Sequence, residues 1–137
     1  MADIISNVTG VRILTTTSKV APITFGATVV APQPVYRDTD DGLYRAARNN
    51  GDSTQADVRG ITLNGGTSGQ KGVMVTAGEM DLGAPLASGM AYVLSVTGIC
   101  PVADLGSGRY ISHLGYATVP NRFILGIKNH EERVGDT

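Results

Sequence analysis

The chain has no tryptophan, a single cysteine, two histidines and two phenylalanines among its 137 residues. Each shortage excludes a class of function. Cys100 alone cannot close an internal disulfide, so folding does not call for an oxidising compartment. His113 and His130 are too few for a metal cluster unless carboxylates join them. Without tryptophan, a sugar face lacks the aromatic platform it commonly stacks on. No stretch approaches the ~20 apolar residues of a membrane span, and Met1-Ala2-Asp3-Ile4-Ile5 lacks the basic start and long apolar run of a secretory signal. Synthesis in a cytoplasm and no membrane partner are the expectation. Charge of neither sign dominates: 11 basic and 12 acidic residues are scattered along the chain for a net charge of −1. A phosphate backbone requires a basic stripe, so no nucleic-acid partner is expected either.

What is present points to strands. The chain holds 14 Val, 9 Ile and 14 Thr against only 3 Glu and 3 Lys. β-Branched side chains are stiff at χ1 and suit a pleated surface, whereas Glu and Lys favour helix. Eighteen Gly and six Pro supply frequent turns. A chain this long buries roughly two thirds of its unfolded surface, enough for one domain without a disulfide or metal. Short apolar runs span residues 27–31, 34–37, 43–47, 58–63, 72–77, 90–96, 110–118 and 122–128. Asp41-Gly42, Asn50-Gly51, Asn64-Gly65-Gly66 and Ser107-Gly108 stand between them, and Asn-Gly and Asp-Gly are strong tight-turn signals. The expected fold is all-β: a small β-sandwich or β-barrel of about eight short strands with an extended N-terminal arm. A tyrosine strand, a Gly-turned hairpin and a strand with a central Gly occur twice, with Tyr36 and Gly60 separated by 24 positions and Tyr92 and Gly115 by 23. That spacing raises a duplicated β-unit.

The pattern divides the chain into an N-terminal arm over 1–25, a β-rich body over 26–128 and a polar tail over 129–137. No aromatic residue precedes Phe25, and the Thr15-Thr16-Thr17-Ser18 run interrupts any regular alternation. Two readings of this segment stand side by side. It is a terminus or first edge strand of its own domain, or an arm that orders on a partner through Ile4, Ile5, Val8, Val11, Ile13 and Leu14. Those six residues are the candidate interface.

No catalytic constellation survives a spacing test. His130-Glu131-Glu132 has no second histidine at the helical spacing of zinc motifs. Asp38-Thr39-Asp40-Asp41-Gly42 is acidic, yet aligning Gly42 with the sixth position of a calcium loop puts Arg37 first and Arg48 twelfth. Gly65-Gly66-Thr67-Ser68-Gly69-Gln70-Lys71-Gly72 lacks the Gly-Lys-Ser/Thr entry into a helix that a phosphate loop needs. Cys100 has no cationic neighbour closer in sequence than Arg109 to activate its thiol, and a small apolar core residue is the expectation. The expectation is a non-enzyme with no metal or other cofactor.

Turn and strand-start signatures run from Ala27 to Ile127: Pro34-Val35-Tyr36-Arg37-Asp38, Asp41-Gly42-Leu43-Tyr44, Val58-Arg59-Gly60-Ile61-Thr62-Leu63-Asn64-Gly65-Gly66 and Ser68-Gly69-Gln70. They continue through Gly83-Ala84-Pro85-Leu86, Met90-Ala91-Tyr92-Val93-Leu94-Ser95, Asp104-Leu105-Gly106-Ser107-Gly108 and Leu114-Gly115-Tyr116-Ala117. In these residues the chain resembles the small cement or decoration proteins of tailed-bacteriophage capsids and related head-fibre modules. The resemblance implies a structural virion protein on the capsid exterior that stabilises the shell. Its partners would be the major capsid protein and sister copies, as a homo-oligomer and in particular a trimer. The same scaffold serves in head fibres and tails, which leaves a module binding a host-surface glycan or receptor as the alternative. Eight Arg against three Lys favours protein contacts.

Overall fold

A computed structural model of the protein describes residues 11–13, 19–49, 54–82, 89–95, 98–101, 110–119 and 122–133. The described residues form ten strands and no helix. In chain order they are β1 (Val11–Ile13), β2 (Lys19–Thr24), β3 (Pro34–Arg37), β4 (Tyr44–Ala46), β5 (Gly60–Thr62), β6 (Lys71–Leu82), β7 (Ala91–Leu94), β8 (Ile99–Pro101), β9 (Tyr110–Val119) and β10 (Arg122–Arg133). All pair antiparallel in the order β4-β3-β5-β6-β10-β9-β7-β8, with β1 and β2 also on β6. The sheet curls into a half-barrel, in keeping with the all-β expectation.

That order is a palindrome of two similar halves. In each, a short tyrosine strand (β3 or β7) lies between its hairpin partner (β4 or β8) and a glycine-bearing strand (β5 or β9), which then leads to a 12-residue strand, β6 or β10. The two glycines do the same job. A Cβ on Gly60 would lie 2.7 Å from the Val75 carbonyl oxygen, and one on Gly115 would run into the Ile124 carbonyl oxygen. A bare Cα therefore lets the next strand's backbone pass close by. The register differs, however: Val35 faces Gly60, whereas Tyr92 faces Gly115. A one-residue shift sends side chains to opposite faces, so the repeat holds in topology and not residue by residue.

β6 organises the whole. Val75 lies between Val20 and Ile61, and Met80 between Ile13 and Phe123. Alternation along β3 and β6 separates two cores. Tyr36, Ile61, Val75, Met80 and Leu82 join Leu94, Leu114, Phe123 and others in the main core, where the Tyr92 and Phe123 rings meet edge-on at 6.0 Å. Val35, Met74 and Ile23 point the other way and are covered by Phe25 and Val29. Each fully buried large side chain contributes roughly 1.5–3 kcal/mol. The connection from β4 to β5 crosses to the second half: Asn49 Nδ2 donates to the Leu94 carbonyl at 2.9 Å, and the Ser112 hydroxyl donates to the Ala56 carbonyl.

Three boundaries differ from the sequence reading. Residues 27–31 are not a strand but a strap, in which Val29 makes a single bridge to Gly66. Residues 11–13 and 19–24, assigned to the arm, are strands paired within their own chain. Residues 129–133, assigned to the polar tail, continue β10, with His130 opposite Ile111 and Arg133 opposite Tyr110.

Candidate interface surface

Of the six candidate interface residues, the structure places Val11 and Ile13 on β1, opposite Leu82 and Met80. Ile4, Ile5, Val8 and Leu14 lie outside the described residues. Directly opposed residues of an antiparallel pair share a face, so Ile13 is on the side of Met80 and the main core. It is nonetheless 41% exposed, because β1 pairs with β6 alone among the described residues. Val20 on β2 repeats the situation: it opposes Val75, a main-core residue, and is 50% exposed. Ile13 and Val20 are thus core-facing side chains left at the rim. Sequence reasoning named the first and passed over the second, which sits between Lys19 and Ala21-Pro22 where no alternation is visible.

The outer face of the second half carries the other large exposed group on a strand. Ala91, Tyr116, Ile124 and Glu79 form one row across β7, β9, β10 and β6. Tyr116 is exposed at its centre, and Arg122 pairs with Glu79 at 3.2 Å beside it. On the first half, the face bearing Val35 and Met74 is covered by the Phe25 strap. Val30, exposed on that strap, completes the set of large exposed apolar residues among those described. β2 also borders a groove of about 300 Å³ whose walls include Pro22, Leu43, Tyr44 and Lys71.

Strand edges are poor docking sites here. β1, β4 and β8 have three residues each, β8 ends in Pro101, and β2 contains Pro22, which has no amide to donate. Contact through side-chain faces is the route left open.

The motifs weighed for chemistry are tied up internally. At the β3–β4 turn, Arg45 bridges Asp38 at 3.0 Å and Asp41 at 2.9 Å, while Asp38 accepts from the Asp40 amide and Asp41 from the Leu43 amide. The hydrogen bond from Arg45 holds the Asp41 carboxyl down to about 2, with the Leu43 amide adding to it, and the same bond raises the guanidinium. In the Gly-rich loop, the Gly66 amide donates to Val29, Thr67 to the Gln70 side chain, Gly69 to Phe25 and Gln70 to Thr67. A phosphate would have to displace these bonds. Among the described residues, no three His, Cys, Asp or Glu side chains are grouped to hold a metal ion. Cys100 is buried in β8 opposite Val93, and His113 lies half-buried on β9.

No protein-family model and no curated protein matches the chain. Among the described residues the surface offers a β body, four large apolar groups in water and polar turns closed on themselves. No described helix is long and apolar enough to cross a membrane.

Proposed function

We propose that this chain is a non-enzymatic structural virion protein that binds the outer surface of an icosahedral bacteriophage capsid and stabilises the shell. The observation that carries the reading is the pair Ile13 and Val20, core-facing on β1 and β2 yet 41% and 50% exposed. Together with the resemblance over residues 27–127, this supports a contact with the major capsid protein and with sister copies along the N-terminal strands. Each such side chain contributes roughly 1–3 kcal/mol once covered, before ordering costs. One copy with so few anchors attaches weakly. A symmetric homo-oligomer, a trimer in this reading, converts weak single contacts into firm attachment by raising effective concentration.

The test is co-sedimentation of the purified protein with capsids lacking it, together with its copy number per shell. The wild-type protein should saturate at a symmetric stoichiometry. Ile13→Asp and Val20→Asp should retain their strand-rich circular dichroism and lose attachment at least tenfold. Undiminished binding by both folded variants would remove the N-terminal strands from the interface. Absence of wild-type binding to any capsid would end the virion reading.

A further inference from the structure

The turn between β5 and β6 contains a chemically reactive pair, Asn64 and Gly65, both exposed. The Asn64 side-chain oxygen accepts a hydrogen bond from the Val73 amide at 2.8 Å. The amides flanking the Asn64–Gly65 pair are engaged: Leu63 donates to the Val73 carbonyl at 2.9 Å, and Gly66 donates to the Val29 carbonyl at 2.9 Å. The Gly65 N–H itself has no acceptor among the described residues.

We propose that Asn64 is a modification site, at which the folded turn promotes succinimide formation, deamidation and backbone isomerisation. The Gly65 nitrogen attacks the Asn64 side-chain carbonyl carbon. A carbon–nitrogen bond forms, closing a five-membered ring, and the bond to the side-chain nitrogen breaks. The Gly65 proton passes to solvent base, and the departing nitrogen leaves as ammonia. Water then adds to one of the two ring carbonyls and opens it, giving aspartate or isoaspartate with no change of oxidation state. Glycine leaves the nucleophile unhindered by a side chain. The Val73 amide, fixed in β6, points at the oxygen on which negative charge develops in the tetrahedral intermediate, the role of an oxyanion-hole donor.

The consequence falls on the strap. A Cβ on Gly65 would lie 2.5 Å from the Val29 carbonyl oxygen, so the backbones are already in close approach. Isoaspartate lengthens the main chain by one methylene, and the turn then cannot keep both the Leu63–Val73 and Gly66–Val29 bonds. The turn then comes away from either the strap or β6 at this point.

The experiment incubates the full chain at mildly alkaline pH, folded and in parallel unfolded in urea, with peptide mapping for aspartate and isoaspartate at position 64. Conversion in the folded protein at a rate equal to or above that of the unfolded chain is expected. A slower rate in the folded state overturns the proposal, because the turn then protects the amide. Asn64→Gln, which cannot close the five-membered ring, should leave that peptide unmodified. The same mass change persisting in this variant would place the reaction elsewhere and also overturn the assignment.

Discussion

Replacing Phe25 by alanine tests whether the strap over β3 and β6 is an integral second core. Phe25 is fully buried among Ile23, Val29, Val35 and Met74. Its ring lies against two bare backbones: a Cβ on Gly66 would sit 2.9 Å from Cδ2, and Gly72 approaches the far end of the ring more closely still. Beside Gly66, the Gln70 side chain is polar and its Oε1 is held by the Thr67 amide, so it is not free to fill the void. Loss of a buried Phe costs about 3–5 kcal/mol when the cavity does not collapse. With a urea slope of roughly 1–3 kcal/mol per M, the unfolding midpoint falls by on the order of 1–5 M. Phe25→Leu keeps most of the volume and should recover more than half of that loss. The backbone bonds from Phe25 N to Gln70 O and from Gly69 N to Phe25 O, at 2.9 and 2.8 Å, would remain possible. Amide exchange at Phe25, Gly66 and Gly69 therefore reports whether they close without the ring. A midpoint for Phe25→Ala within ~0.3 M of wild type would refute the reasoning, since a segment that can lose its only aromatic at no cost is not packed.

Three further outcomes follow from other parts of the molecule. Gly115 has φ of +156° and faces the Ile124 carbonyl, whereas nothing lies within 4 Å of a Cβ at Gly126; Gly115→Ala should cost several kcal/mol in denaturant melts and Gly126→Ala less than about 0.5. Asn49 is fully buried, donates to Leu94 O and has no partner for Oδ1 among the described residues; Asn49→Ala should cost about 1–3 kcal/mol by orphaning that carbonyl, and Asn49→Asp more, because it buries a charge facing it. Asp41 is depressed in the folded state from 3.8 to about 2, so its contribution to stability is present above pH 3.8 and disappears as pH falls through 2; Asp41→Asn should flatten the acid limb of the stability profile in that window and lower stability above it by the same amount, a small one because the pair with Arg45 is solvent-exposed.

Composition and turn chemistry made the fold class legible, and the reasons are local. Period-two runs such as Phe123, Leu125 and Ile127 bury one side against a core, and Asp41-Gly42 reverses the chain between β3 and β4. The duplicated spacing of Tyr36–Gly60 and Tyr92–Gly115 corresponds to a real repeat of strand order. Its register could not be read, because which face a glycine strand presents depends on partners far away in sequence. Val29 and Val30 read as strand by propensity, but their neighbours Phe25 and Gly66 make them a lid on a second core, a tertiary effect that overrides local preference.

The N-terminal segment shows the same limit most directly. Its apolar residues lacked any local partner, and the sequence left open whether they met their own domain or another molecule. Over the described residues the structure gives the first answer for the backbone. β1 and β2 bond to β6 through their backbones, while Ile13 and Val20 keep 41% and 50% of their surface in water. Backbone pairing and side-chain burial are separate contributions, and an edge strand can have the first without the second. A strand already held by its own chain also loses little further backbone entropy on docking. Ordering a free arm costs ~1–2 kcal/mol per residue, which offsets much of the roughly 1–3 kcal/mol that a covered apolar side chain contributes. In the proposed attachment, anchors on β1 and β2 would avoid that cost, so few of them would suffice for multivalent binding.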